Sequence, residues 1–152
     1  MFVWTAKVSK TRIAAIVTVI IAAVVAVAIL LAAKKEQPAV READTNEKRV
    51  AFLTGFGWEV NTQPVQIQEV NVPEKDSEVL SRYNELQKSQ GYDLCSYAGK
   101  RVTRYVYEIL NYPDADAPVY ATLFVYEGAV IGGDVTNTAP DGPMHGFARP
   151  QT

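Results

Sequence analysis

The chain has one cysteine, Cys95, and one histidine, His145, among 152 residues. That scarcity excludes a disulfide scaffold and a cysteine-ligated zinc site, each of which needs several thiols, and it excludes any multi-histidine metal centre. A basic excess is also missing where it would matter. The formal net charge of −2 averages two unlike pieces: residues 1–35 hold five Lys or Arg and no acid, +5, while residues 36–152 hold ten Lys or Arg against seventeen Asp or Glu, −7. A phosphate-tracking face needs cations that the larger piece lacks, so no nucleic-acid partner is expected. The length suits a single domain.

What is present begins with an apolar run. Residues 13–33 contain no charge and one polar side chain, Thr18, and twelve of these 21 residues are Ile, Val or Leu. As a helix the run is about 31 Å long at ~1.5 Å per residue, matching a hydrocarbon core of ~30 Å. Its branched aliphatics favour insertion by about 4–7 kcal/mol in total. A cleaved secretory signal has a shorter apolar core, of roughly 7–15 residues. The expectation is a single transmembrane helix over 13–33, with residues 1–12 as a short basic cytoplasmic tail and the rest outside a cell membrane. Ala14, Thr18, Ala22 and Ala26 fall at four-residue intervals, a small-residue stripe that permits close helix approach and a homodimer through the anchor.

Residues 34–45 read as a polar linker and 148–152 as a tail, which leaves 46–147 for an extracytoplasmic domain. Thr45 or Asn46 is placed to cap a helix reaching about Gly55, with Val50, Leu53 and Phe56 as its apolar stripe. Extended structure is expected over 58–60 and 65–72, punctuated by Pro64 and Pro73. Asp76 or Ser77 caps the clearest helix, which runs to Gln90 on Val79, Leu80, Tyr83, Leu86 and Gln87, with Gly91 at the left-handed position beyond its end. Three β runs follow, over 101–112, 119–126 and 129–135. The proline-bounded PDADAP makes a wide turn and Glu127-Gly128 a two-residue hairpin turn.

The fold class expected is α+β: a small two-layer domain of order α-β-α-β-β-β, an antiparallel meander sheet with the helices on one face. Alternation places Tyr105, Tyr107, Ile109, Tyr120, Phe124, Tyr126, Ile131 and Val135 on a charge-free face assigned to the core. The water-facing side is then expected to present Val102, Arg104, Val106, Glu108, Ala121, Leu123, Val125, Val130 and Asp134.

The strings RVAFLTGFGWEV (residues 49–60), IQEVNVPE (67–74), VIGGDV (130–135) and MHGF (144–147) resemble an uncharacterised family, domain of unknown function 4830, found behind one membrane anchor in Gram-positive bacteria of the clostridial kind. The likeness covers about residues 48–147. It implies a bacterial envelope location; the family carries no assigned activity, so no functional residue is transferred.

The residues with chemistry to offer are few. His145 is the one side chain that titrates near neutral pH in an ordinary setting, but the sequence singles out no nucleophile or orienting partner for it. Asp134 follows Gly132-Gly133, a pair that admits a close ligand and also marks a strand bulge. Asp114, Asp116 and Asp141 are turn acids without calcium-loop spacing. Cys95 reads first as a buried small apolar residue and second as a thiol open to an intermolecular disulfide, and Trp58 and the tyrosines mostly as core or cross-strand pairs.

No cofactor and no metal are expected. The leading reading is a non-catalytic interaction or sensory module of the cell envelope, binding an envelope protein or peptide through an edge strand or through the mixed sheet face, with Leu123, Val125, Arg104, Asp134 and His145 as candidate contacts. One alternative is a regulator or inhibitor of an envelope peptidase. A hydrolase using His145 with Asp134 or Asp141 is the other.

Overall fold

The computed structural model describes Ala23 and residues 41–150. The expected membrane span at 13–33, its orientation and the Ala14, Thr18, Ala22, Ala26 stripe therefore lie outside the described residues, Ala23 apart. Among the described residues no helix is long and apolar enough to cross a membrane.

Helix α1 is Asn46–Thr54, with the Thr45 side chain accepting from the Lys48 N–H. This cap satisfies one of the backbone donors that a helix start leaves without an intrahelical partner. Helix α2 is Glu78–Ser89, capped in the same way by Ser77 on the Leu80 N–H. Gly91 beyond its end has φ 80°, the left-handed region that a Cβ disfavours. A single-turn 3-10 helix, Leu94–Tyr97, follows.

Five strands, β1 (Gln66–Asn71), β2 (Arg101–Ile109), β3 (Val119–Tyr126), β4 (Ala129–Asn137) and β5 (Met144–His145), form one antiparallel sheet in sequential order. The class is α+β and the meander is as expected, with α2 and the 3-10 turn inserted between β1 and β2 and a short β5 added at the far edge. Glu127 and Gly128 both take positive φ, 48° and 77°, the pairing that lets a two-residue turn follow the twist of the flanking strands.

The ladder pairs Tyr105 with Leu123, Tyr107 with Ala121 and Ile109 with Val119. Residues opposite one another project to the same side. Face A therefore carries Tyr105, Tyr107 and Ile109 together with Val119, Ala121, Leu123 and Val125, and face B carries Arg104 and Val106 with Tyr120, Thr122, Phe124 and Tyr126. This corrects the expected faces. The two sides of β2 divide as expected, although Val102 and Val106, placed on the water-facing side, are buried. β3 is inverted, because an odd-numbered connection of nine residues between Ile109 and Val119 sets odd residues against odd. The irregular register at the start of β4 puts Val130 with the face A cluster and Ile131 with the face B cluster, the reverse of the expectation.

The helices also divide. Phe52 and Leu53 of α1 join Trp58, Tyr107, Leu123, Val135 and Phe147 in one buried cluster on face A. Leu80 of α2 packs with Val72, Leu94, Val102 and Ile131, and with Phe124 and Tyr126 at the margin, on face B. Helices on a single face are thus corrected to one helix against each side of the sheet. Aliphatic and aromatic residues alternate along β3, so both of its faces are apolar enough to cover.

Two of the buried polar residues tie a helix to the sheet. Arg49 of α1 is 7% exposed, its guanidinium 3.8 Å over the Tyr105 ring while it donates to the Tyr107 hydroxyl at 3.0 Å and the Ala43 carbonyl at 2.7 Å. Gln87 of α2 is fully buried against β4.

Candidate functional site

The two edges of the sheet are finished differently. Along the outer side of β4, the 41–43 segment bridges its start: Val130 N–H donates to Arg41 O and Ala43 N–H to Gly128 O, each at 2.7 Å. At mid-strand the Gln87 amide takes the place of a strand, receiving the Gly133 N–H at 2.8 Å and donating to the Gly133 carbonyl at 3.0 Å. The Gln90 amide donates to the same carbonyl and receives the Phe147 N–H. Near the end, β5 pairs with Val135 and Thr136. Every section of that edge has a partner.

β1, at the opposite edge, has β2 as its one neighbour among the described strands. Val72 N–H donates to Lys100 O, and Leu110 and Glu108 of the next strand exchange with Glu59 and Asn61, so the even-numbered residues of β2 turn their backbone toward β1. The register Gln66↔Val106, Gln68↔Arg104 and Val70↔Val102 then directs the even-numbered residues of β1 inward. By alternation Ile67, Glu69 and Asn71 direct their N–H and C=O groups away from the sheet. Their side chains are exposed as well; Ile67 is 60% and the preceding Val65 55% accessible.

β1 forms one wall of a groove of about 890 Å³ on face B, where α2 stops short of covering the sheet. Its floor includes Val106, Tyr120, Thr122 and Phe124, with Tyr83 at the α2 end and Met144 at the far side. Two charged residues line it, Arg104 and Asp134. Asp134 is 5% exposed, and both of its oxygens are used: Oδ1 accepts from the Tyr83 hydroxyl at 2.5 Å and Oδ2 from the Thr136 hydroxyl at 2.7 Å. Burial, then the charge of Asp134, hold the Tyr83 phenol far above the ordinary tyrosine range. The guanidinium of half-buried Arg104, by contrast, makes no hydrogen bond or ion pair among the described residues.

The expected site residues are therefore separated. Arg104 and Asp134 share the groove on face B, as the mixed-face reading had them. Leu123 and Val125 do not: they are 0% and 8% exposed in the core beneath α1, which corrects their assignment as contacts. His145 lies opposite Val135 on face A, so it and Asp134 project to opposite sides of the sheet. Its Nδ1 lies 2.6 Å from the Gly146 carbonyl, which can only accept, and its Nε2 shares a hydrogen bond of 3.1 Å with the Tyr112 hydroxyl. Trp58 stacks on Tyr112 and donates to the Phe147 carbonyl, so His145 belongs to an aromatic clasp holding the C-terminal segment. Arg149, in the expected 148–152 tail, closes this clasp over Trp58 and donates to the Gly57 and Asn111 carbonyls.

Residues 52–135, more than half of the chain, match the family model described as Domain of unknown function (DUF4830). The chain belongs to this family. No curated protein and no solved structure matches it. The stretch matched by the DUF4830 model takes in Arg104, Asp134, both helices but for the first turns of α1, and strands β1 to β3 entire.

Proposed function

We propose that this DUF4830 chain is a non-catalytic interaction module of the bacterial cell envelope, held at the outer membrane face by residues 13–33, which receives an extended segment of an envelope protein along β1. One observation carries the reading: the β4 edge is closed at every section by backbone or amide partners, while β1 offers outward N–H and C=O groups beside a groove. Unpaired strand edges are templates for another strand, and proteins ordinarily block them. Strand addition draws affinity from main-chain hydrogen bonds and specificity from alternate side chains, so it needs no catalytic constellation. The apolar length of 13–33 supports the anchor, and the short, acid-free basic tail ahead of a larger domain supports its orientation.

Selection from a displayed library of random strand-length peptides on the full-length chain tests the binding half. Wild-type protein is expected to enrich peptides, and Glu69→Pro to lose them while retaining its melting temperature, since proline there removes an outward N–H that the β1–β2 ladder does not use. Equal capture by both proteins would contradict the edge as the site. For the anchor, the chain is expected in the membrane fraction with its C-terminus open to protease in intact cells; recovery of the intact chain in the aqueous fraction would overturn it.

A further inference from the structure

Resting on strand addition at β1, we infer that the segment bound is one bearing a single carboxylate, placed opposite Gln68, in an otherwise neutral or basic strand, and that Arg104 is the residue that reads it. The guanidinium has five donors and is always charged. Partly withdrawn from water in the groove wall, it has no hydrogen-bond or ion-pair partner among the described residues. The nearby carboxylate is already engaged, because Asp134 takes the hydroxyls of Tyr83 and Thr136. Asp134 also sits on β4, two strands from β2, so a carboxylate arriving from the β1 side meets Arg104 before it meets that negative charge.

The register gives the position. Arg104 faces Gln68 across the β1–β2 ladder, both on face B. A strand added outside β1 would set its residue opposite Gln68 at roughly 10 Å from Arg104, twice the spacing between neighbouring strands. An arginine and a glutamate, each extended through bonds near 1.5 Å, span that gap over the short Gln68 side chain. Gln68 is exposed, and its side chain's one hydrogen bond among the described residues is a long one from the Gln66 amide, so no buried side chain must move to admit the pair. Residues 36–152 sum to −7, which disfavours a strand with several acids; one carboxylate suited to Arg104 among neutral or basic residues meets both constraints.

The same displayed library, selected on the full-length chain, tests this. Enriched peptides are expected to share an Asp or Glu at one fixed position of the alternating pattern and to carry no net negative charge. A synthetic enriched peptide should lose about tenfold in affinity when that acid becomes Gln. Arg104→Met should cause the same loss for the acidic peptide and none for its Gln counterpart, with Arg104→Lys restoring part of the preference and both variants melting as wild type does. Enriched peptides without a shared acid, or equal weakening of both peptides by Arg104→Met, would overturn the role of Arg104 while leaving strand addition standing. Absence of any enriched peptide would remove strand addition and this inference together.

Discussion

Gln87 and Gly133, 46 residues apart, exchange two hydrogen bonds of 2.8 and 3.0 Å, so that one side-chain amide of α2 stands in for a neighbouring strand at the middle of β4. The amide is the one side-chain group that offers a donor and an acceptor in the geometry of a peptide unit. Gln87→Leu keeps the volume and orphans the Gly133 N–H, while the Gly133 carbonyl keeps its bond from the Gln90 amide. The orphaned group costs about 1–3 kcal/mol when buried, and the denaturant midpoint is expected to fall by a corresponding amount at unchanged m-value.

Gly133 is required by close approach. A Cβ there would collide with the Thr122 carbonyl oxygen and stand 2.5 Å from Phe147 Cζ. The carbonyl belongs to the neighbouring strand and cannot yield without opening the β3–β4 ladder. Gly133→Ala is expected to destabilise by about 1–3 kcal/mol by overpacking, measured by urea unfolding; a wild-type midpoint would contradict the packing.

Leu123 and Arg104 separate the core from the groove. Leu123→Ala is expected to cost about 2–5 kcal/mol, as for a fully buried leucine, whereas Arg104→Met should leave the melting temperature near wild type. Were Leu123 on an open face, the two variants would melt alike.

Alkaline stability follows from the buried tyrosines. Tyr83, Tyr92 and Tyr107 all ionise above the ordinary value of 10.0 in the folded chain, burial being the first cause in each. The unfolded chain therefore releases these protons first. Their contribution to stability is complete below pH 10.0 and is lost as the pH rises through the folded values. Tyrosinate absorbance at these positions should appear together with loss of structure, and Tyr83→Phe should make the alkaline decline shallower.

Much of the fold was legible because it is local. Thr45 and Ser77 announce helix starts through their own side chains, Gly91 a helix end through its φ, and Glu127-Gly128 a hairpin through two positive φ values. What was not legible depends on distant partners. Along β3 the aromatics Tyr120, Phe124 and Tyr126 alternate with Val119, Ala121, Leu123 and Val125, and neither set is charged. Which set is buried is settled by α1 docking and by the length of the Ile109–Val119 connection, and choosing the aromatics inverts the strand. Val79 fits the apolar stripe of α2 yet is 77% exposed, while Asn84 and Gln87 are buried through bonds to Asp93, Leu94 and Gly133. Arg104 and Asp134 were placed together because charge on an alternating strand marks its wetter side. The open β1 edge becomes visible only once the β4 edge is seen to be closed.

Backbone amide exchange, followed residue by residue with and without a library-selected peptide, tests the binding account most directly. In the free chain Ile67, Glu69 and Asn71 should exchange fast while Gln66, Gln68 and Val70 are slow, and the peptide should protect those three amides and leave Gly133 unchanged. Slow exchange at all six positions in the free chain, or peptide protection that falls elsewhere than β1, would contradict it.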